Sequence, residues 1–394
     1  MYRMFKEELM NILVISNFFN LFYVSLVSYL NLKGIKGTIH FASFEENRVD
    51  AEYSFYLKLP EYGVYTSNLN KATILKYVKE NDINVILFPQ ISDVEDLIKE
   101  VKSINKSIAC LFLLHTRPDL VVANKREQFK RLRMKDIRSL KTFLAWRFSQ
   151  FYLFIMAKQW KRWAIRQYNA FDKIVVLSPS YISEYEKVMG KKDTQSKIVA
   201  IPNPKIEHVS NVAIPDKKKQ IVFVGRLDEE KAVYRLLYIW NKIYKQLPDW
   251  NLLIVGDGET RTDDESLVKT LNIDRVKFLG YQKSIPIIDE SSILCLTSNI
   301  EGQPTVFMEA MTLGVVPIGF DSFSAIYDMI DNNVNGIIVP AFDEDLYANV
   351  LMQLAQNENL RCHMAEMAQQ KVNQYDIEKI GKRWLCLFKE LSLL

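Results

Sequence analysis

Histidine and cysteine are scarce in this chain, with four of each among 394 residues. Cys110, Cys295, Cys362 and Cys386 form no CxxC pair and no metal-ligand spacing, which argues against a zinc site or a disulfide scaffold. Cys110 and Cys295 lie inside apolar runs, where buried thiols of a reducing compartment usually sit. The histidines are scattered, so no imidazole-based metal centre is expected. No GxGxxG opens a helix either. The turn Gly256-Asp257-Gly258 is followed by Thr260 and Arg261, fails the dinucleotide fingerprint and reads as structural. One nearly uncharged run, "ILVISNFFNLFYVSLVSYL" (12–30), is long enough to span a bilayer. It contains Ser16, Asn17, Asn20, Ser25 and Ser28 and no small-residue cleavage site. Strand, polar break and buried helix ending at Gly34 is the better reading.

What is present is a globular composition, 48% hydrophobic and 25% charged, with length enough for two domains. Short apolar, β-branched runs recur: "NILVIS" (11–16), "GTIHFAS" (37–43), "INVILFP" (83–89), "SIACLFLLH" (107–115), "DKIVVLS" (172–178) and "KIVAIPN" (197–203). After the proline- and charge-rich segment 204–220 they resume as "QIVFVG", "NLLIVG", "VKFLG", "ILCLTS", "VVPIGF" and "NGIIVP". Continuous apolar strands alternating with helices imply parallel sheets covered on both faces. The expected fold is α/β: two Rossmann-like, doubly wound domains, 1–205 and 206–374, joined at that hinge and facing a central cleft. An amphipathic helix closes the chain at 375–394, with Ile377, Ile380, Trp384, Leu387 and Leu391 on one side, packing across the domains or back onto the first.

Strand ends carry the chemistry in such sheets. "FVGRLDEEK" puts Gly225 and Arg226 at one strand end and Lys231 near the next helix; two cations there can converge on a diphosphate. Alternatively, Asp228, Glu229 and Glu230 simply neutralise them. "IEGQPTVFMEAMTLG" (300–314) begins with Glu301, opens a helix at about Pro304, buries it through Val306, Phe307, Met308, Ala310, Met311 and Leu313, and closes at Gly314. Its N-terminus is a ready anion site. Glu301 precedes it and Glu309 lies more than a turn inside, where a carboxylate needs hydrogen-bond partners. Sugar hydroxyls would serve, and so would a backbone amide or an arginine. Asp343 of Asp343-Glu344-Asp345 reads as a helix N-cap, not a metal ligand.

The E-x7-E pattern with G-x-P inside and E-A-M after it resembles the retaining GT-B glycosyltransferases of the glycogen-synthase-like class, glycosyltransferase family 4, group 1. "VGRLDEEK", "LLIVGDG", "VKFLG", "GVVPIGFDS", "NGIIVP" and "IPNP" (201–204) stand in that family's order. The resemblance covers the second half closely and residues 1–200 through strand order, "LFLLH" and "KIVVLSPSY". It implies that Arg226 and Lys231 bind the donor diphosphate beside Gly225. Glu309 would hold the ribose hydroxyls and Glu301 the transferred sugar, with backbone N–H groups around Gly302, Gln303 and Thr305 contacting phosphate and sugar. The loop at Gly280-Tyr281 would take the base. His115 would reach the donor sugar from the first domain; as a bare residue it reads equally as a capped core imidazole. His115, Glu301, Arg226 and Lys231 are thus the implied catalytic group. No bound metal or cofactor is implied beyond the nucleotide-sugar substrate, UDP-linked by preference. Two places differ from the family: "SNFFN" (16–20) has no glycine where a Gly-Gly loop is common, and Ala325-Ile326 stands where a glutamate often does.

Residues 117–166 are set apart by charge, with fourteen Lys or Arg against Asp119, Glu127 and Asp136. That net of +11 in a chain of +4 leaves the remainder at −7. Trp146, Phe148, Phe151, Tyr152, Phe154, Trp160 and Trp163 lie among these cations, a composition suited to an anionic membrane surface. "FSQFYLFIMA" (148–157) is too short to span. A groove for an anionic acceptor and a solvated charged face are the other readings, and no nucleic-acid-binding module accompanies the charge. The expectation is a cytoplasmic glycosyltransferase peripheral to the inner face of the cell membrane, acting on a cell-envelope glycan or lipid-linked saccharide. Its rivals are a GT-B nucleotide-sugar 2-epimerase, a phosphorylase, and a catalytically weak nucleotide-sugar-binding or membrane-associated scaffold.

Overall fold

Apolar runs with no polar face become strands covered on both sides. In the computed structural model, which describes residues 9–16, 21–44, 54–91, 93–135, 140–206 and 208–393 without the side chains of Leu21 and residues 127, 128 and 130–146, every strand pairing is parallel. The chain divides into two compact units.

The first unit comprises Met1–Pro118, Ile155–Pro204 and Tyr375–Leu394. Its strands are β1 (Leu9–Ile15), β2 (Lys36–Ser43), β3 (Ser54–Lys58), β4 (Val85–Pro89), β5 (Ala109–Leu114), β6 (Lys173–Val176) and β7 (Ile198–Ala200). They form one sheet in the order β3-β2-β1-β4-β5-β6-β7. The six runs expected as strands are strands. β3 was not expected, because "SFYLK" is a half-exposed edge in which only Phe55, Tyr56 and Leu57 are apolar, flanked by Ser54 and Lys58.

The uncharged stretch 12–30 divides as its polar break implies. It contains most of β1 and the larger part of the helix Leu21–Leu32, which buries Phe22, Tyr23, Leu26, Val27, Tyr29 and Leu30. No helix among the described residues is long and apolar enough to cross a membrane. Of the glycine-free loop 16–20, residues 17–20 lie outside the described residues.

The C-terminal helix Ile377–Glu390 packs on the helix Leu21–Leu32 of the same unit. It buries Ile380, Trp384, Leu387 and Phe388. Gly381 lies at the contact, where an added Cβ would come within 2.4 Å of the Tyr29 ring. A helix-interior glycine costs about 1 kcal/mol relative to alanine, offset here by the close approach it permits.

The second unit comprises Asp119–Phe154 and Lys205–Gln374. Its strands are β8 (Lys218–Val224), β9 (Asn251–Val255), β10 (Val276–Gly280), β11 (Ser291–Leu296), β12 (Val316–Phe320) and β13 (Ile337–Val339). Their order is β10-β9-β8-β11-β12-β13. The later part of the segment expected as a hinge is firmly tied to this unit. Lys217 and Asp289, both buried, pair through Lys217 Nζ at 2.6 Å from the Asp289 carbonyl and 3.4 Å from Oδ1. The Ser210 hydroxyl and Asn211 N–H donate to the same carboxylate at 2.5 and 2.8 Å. Burial pulls the Lys217 ammonium below its ordinary pKa, with Asp289 opposing.

The basic arm, expected within the first domain, is divided between the units at Phe154 and Ile155. It folds as the helices Leu120–Lys135 and Leu140–Ala170. Trp160 stacks on Trp163 at 4.1 Å and donates from Nε1 to the Pro118 carbonyl at 2.6 Å. Phe148, Phe151, Tyr152, Phe154 and Ile155 are exposed.

Candidate functional site

The start of the loop after β8 is held by backbone hydrogen bonds. Gly225 N–H donates to the Val255 carbonyl at 3.0 Å, and Leu227 N–H to the Asp257 carbonyl at 2.9 Å. Leu227, fully buried, accepts in turn from Thr260 N–H at 3.0 Å. Arg226, between them, projects into solvent and among the described residues makes a surface contact to Asp228 at 3.2 Å. Asp228 also accepts the Lys231 N–H at 2.9 Å, which tightens the turn toward the helix Val233–Ile243.

Lys231 points back to the neighbouring strand's exit. Its Nζ lies 2.7 Å from Glu301 Oε1 and 3.8 Å from Glu230 Oε1. The same Glu301 oxygen accepts from the Ser298 hydroxyl at 2.7 Å. Asn299 fastens the two loops, donating from N–H to the Glu230 carbonyl at 2.8 Å and from Nδ2 to the Glu229 carbonyl at 2.7 Å. β8 and β11 are adjacent at the reversal of strand order, the place where doubly wound sheets bind ligands. Burial raises the Glu230 carboxyl pKa; Lys231 opposes this and Glu301 adds to it.

The helix that follows runs Thr305–Thr312, one residue shorter at each end than expected, with Pro304 at the N-cap and Leu313 at the C-cap. Pro304 supplies no capping hydrogen bond to the first turn. Phe307, Met308, Ala310 and Met311 are buried, whereas Thr305 is exposed. Glu309 is half-buried, its carboxylate makes no hydrogen bond or ion pair among the described residues, and burial pushes its carboxyl pKa up. Glu301, Gln303 and Pro304 are buried and Gly302 is half-buried.

Gly280 accepts from Gly256 N–H at 2.9 Å, and Tyr281 beside it is 91% exposed. Asp343 caps the helix Glu344–Gln356, accepting from Leu346 N–H at 2.9 Å. His115 follows β5 in the first unit, 3.2 Å from the Tyr23 hydroxyl. Burial pushes its imidazole down to about 4, so the ring is neutral near pH 7.

Of the residues singled out from sequence, Lys231 and Glu301 are in direct contact, Arg226 shares their loop and Glu309 lies on the next helix. His115 is described with the other unit. Sequence reasoning missed Ser298 and Asn299 as side-chain partners and took Glu230 only as a neutraliser of the two cations; its carboxylate lies 3.8 Å from Lys231 Nζ. The signal was available for Ser298, a hydroxyl terminating the apolar strand "ILCLTS". For Asn299 there was none, because its contacts join segments 69 and 70 residues apart.

Residues 204–371 match the family described as Glycosyl transferases group 1. An uncharacterized glycosyltransferase of Haemophilus influenzae is 32% identical over 216 residues, covering 54% of this chain and 60% of that protein. A second relative, from Campylobacter jejuni, is named GalNAc-alpha-(1->4)-GalNAc-alpha-(1->3)-diNAcBac-PP-undecaprenol alpha-1,4-N-acetyl-D-galactosaminyltransferase. It is 28% identical over 241 residues, covering 61% of this chain and 66% of that one. The chain therefore spans about three fifths to two thirds of these relatives' lengths. Among solved structures, Anabaena Alr3699/HepE in complex with UDP and glucose superposes with a TM-score of 0.66 at 14% identity, over 97% of this chain and all of that one. The fold is GT-B, with two Rossmann-like units.

Proposed function

We propose that this protein is a retaining glycosyltransferase. It moves a sugar from a nucleoside diphosphate, UDP by preference, onto a cell-envelope glycan or lipid-linked saccharide. One observation carries the reading: a lysine and a buried glutamate converge at the sheet's switch point, ahead of a helix whose N-cap proline gives no capping hydrogen bond and of Glu309, whose carboxylate has no partner among the described residues. Cations and free N–H groups suit a departing diphosphate; carboxylates suit hydroxyls. Arg226 and Lys231 are assigned to the diphosphate beside Gly225, Glu301 to the transferred sugar, and Glu309 to the ribose. Gly302, Gln303 and Thr305 supply backbone contacts, Tyr281 adjoins the base, and His115 is assigned a sugar hydroxyl. The charge on the leaving group is met by these side chains and the helix end, with neither a metal nor a covalent nucleophile assigned. The UDP held by the Anabaena protein supports the choice of base. The undecaprenol-linked compound in the Campylobacter enzyme's name supports a lipid-linked acceptor.

The test is thermal unfolding with UDP, GDP, ADP and their common sugar conjugates, on wild type and Glu309→Ala. A nucleotide at a hundred times its Kd adds about 2.7 kcal/mol to stability. One nucleotide family is expected to raise Tm in wild type and far less in Glu309→Ala. A folded protein unmoved by all of them would overturn the assignment.

The acceptor's location gives the arm its place. Phe148, Phe151, Phe154 and Ile155 are exposed beside exposed Arg147, Lys158, Lys161 and Arg162. In this reading they dock on an anionic membrane at the inner face of the cell envelope. Each cation near such a surface contributes about 1 kcal/mol. The protein is expected to sediment with phosphatidylglycerol vesicles but not with phosphatidylcholine ones, and Phe148→Ser/Phe151→Ser to weaken that binding. No sedimentation with either kind of vesicle would remove the membrane from the proposal.

A further inference from the structure

The helix Leu21–Leu32 carries a phenol with one acceptor in reach. Tyr23 is 1% exposed, and its ring packs against Phe22 at 5.1 Å and edge-on to Phe41 at 6.4 Å. Among the described residues its hydroxyl has a single hydrogen-bond partner, Nε2 of His115, at 3.2 Å. His115 is half-buried, and its Nδ1 has no partner among those residues.

Two proton arrangements fit that distance, and they differ in what they leave unmet. With a proton on Nε2, the ring donates to the phenol oxygen and the phenol's own proton is buried without an acceptor. With Nε2 bare, the phenol donates to it, and the ring proton sits on Nδ1. Each arrangement leaves one donor unmet, but the second leaves it on the half-buried imidazole and not on the phenol, which is 1% exposed, so the second is favoured. Ionisation does not intervene: burial drives the Tyr23 phenol far up and the imidazole down, so both are neutral.

We infer that Tyr23 is a positioning residue that holds His115 in the tautomer protonated on Nδ1 and leaves Nδ1–H as the ring's free donor. The inference deepens the proposed function and rests on it for its purpose: a neutral ring with a fixed donor can hold a sugar hydroxyl oxygen. Tyr23 itself touches no substrate in this account. It spares the histidine the cost of choosing a tautomer when the donor arrives.

The experiment reads the tautomer directly, in ligand-free full-length protein with isotope-labelled histidine. A long-range proton–nitrogen correlation spectrum distinguishes protonated from bare ring nitrogens, and loss of signals in His115→Gln identifies His115. The expected wild-type pattern is Nδ1 protonated and Nε2 bare, and Tyr23→Phe should shift His115 toward a mixture of tautomers. A wild-type proton on Nε2 would overturn the inference even if the variant failed to fold. An unchanged pattern in a folded Tyr23→Phe protein would do the same. Because no substrate is present, this result is independent of whether sugar transfer occurs. In the transfer assay Tyr23→Phe is expected to lower kcat about two- to tenfold, the worth of one hydrogen bond, with nucleotide affinity unchanged. Undiminished kcat would deny Tyr23 the positioning role.

Discussion

Lys231→Ala should lower kcat for sugar transfer about 100- to 1,000-fold, the scale seen when one preorganised stabiliser of a developing anion is removed. The expectation depends on what the lysine does before any donor arrives. Its ammonium lies 2.7 Å from Glu301 Oε1 and 3.8 Å from Glu230 Oε1. Burial already raises the Glu230 pKa. Deleting the lysine leaves two carboxylates facing each other in a half-buried loop, so the variant should lose stability as well as turnover. These two losses can be separated. Lys231→Ala/Glu301→Gln removes the uncompensated charge and should regain most of the lost Tm while remaining inactive. If the double variant transferred sugar at the wild-type rate, Lys231 would be only a counter-ion for Glu301. Turnover of a UDP-sugar and Tm, measured on the three proteins, decide the matter.

That pairing also marks the limit of what one-dimensional pattern reveals. The strands were legible because a parallel sheet buries both faces, so "QIVFVG" or "ILCLTS" advertises itself as an unbroken apolar run. The edge strand β3 was not, because solvent on one side dilutes the same signal with Ser54 and Lys58. Lys231 and Glu301 were each legible as chemistry at a strand end. Their contact was not, because β9 and β10 intervene in sequence while β8 and β11 are neighbours in the sheet. Tyr23 shows the same limit more sharply. Inside "FFNLFYVSLVSYL" it read as one more apolar helix residue, and only the fold places its hydroxyl against His115, 92 residues away. Exposure on the arm was equally hidden, since periodicity could not separate the buried Leu153 from the exposed Phe151 and Phe154.

Gly256→Ala should destabilise the second unit by about 3 kcal/mol or more, through overpacking and backbone strain acting together. Gly256 has φ +135°, and a Cβ there would lie 1.8 Å from the carbonyl oxygen of Gly225. Since that atom is backbone, it cannot swing aside. Gly258 repeats the problem, its Cβ falling 2.2 Å from the Leu227 carbonyl oxygen. The turn that failed as a dinucleotide fingerprint therefore has a different purpose: it lets the β9 exit loop lie against the β8 exit loop and brace Arg226 and Lys231. Gly63→Ala supplies the comparison, with φ +82° and nothing within 4 Å of the new methyl, so it incurs conformational strain alone. Chemical unfolding should therefore show a small loss for Gly63→Ala and a much larger one for Gly256→Ala. Any Gly256→Ala protein that still folds should bind nucleotide weakly, because relief of the clash displaces the loop carrying both cations. Equal losses in the two variants would mean that the loops do not approach this closely, and the bracing of the site would have to be sought elsewhere.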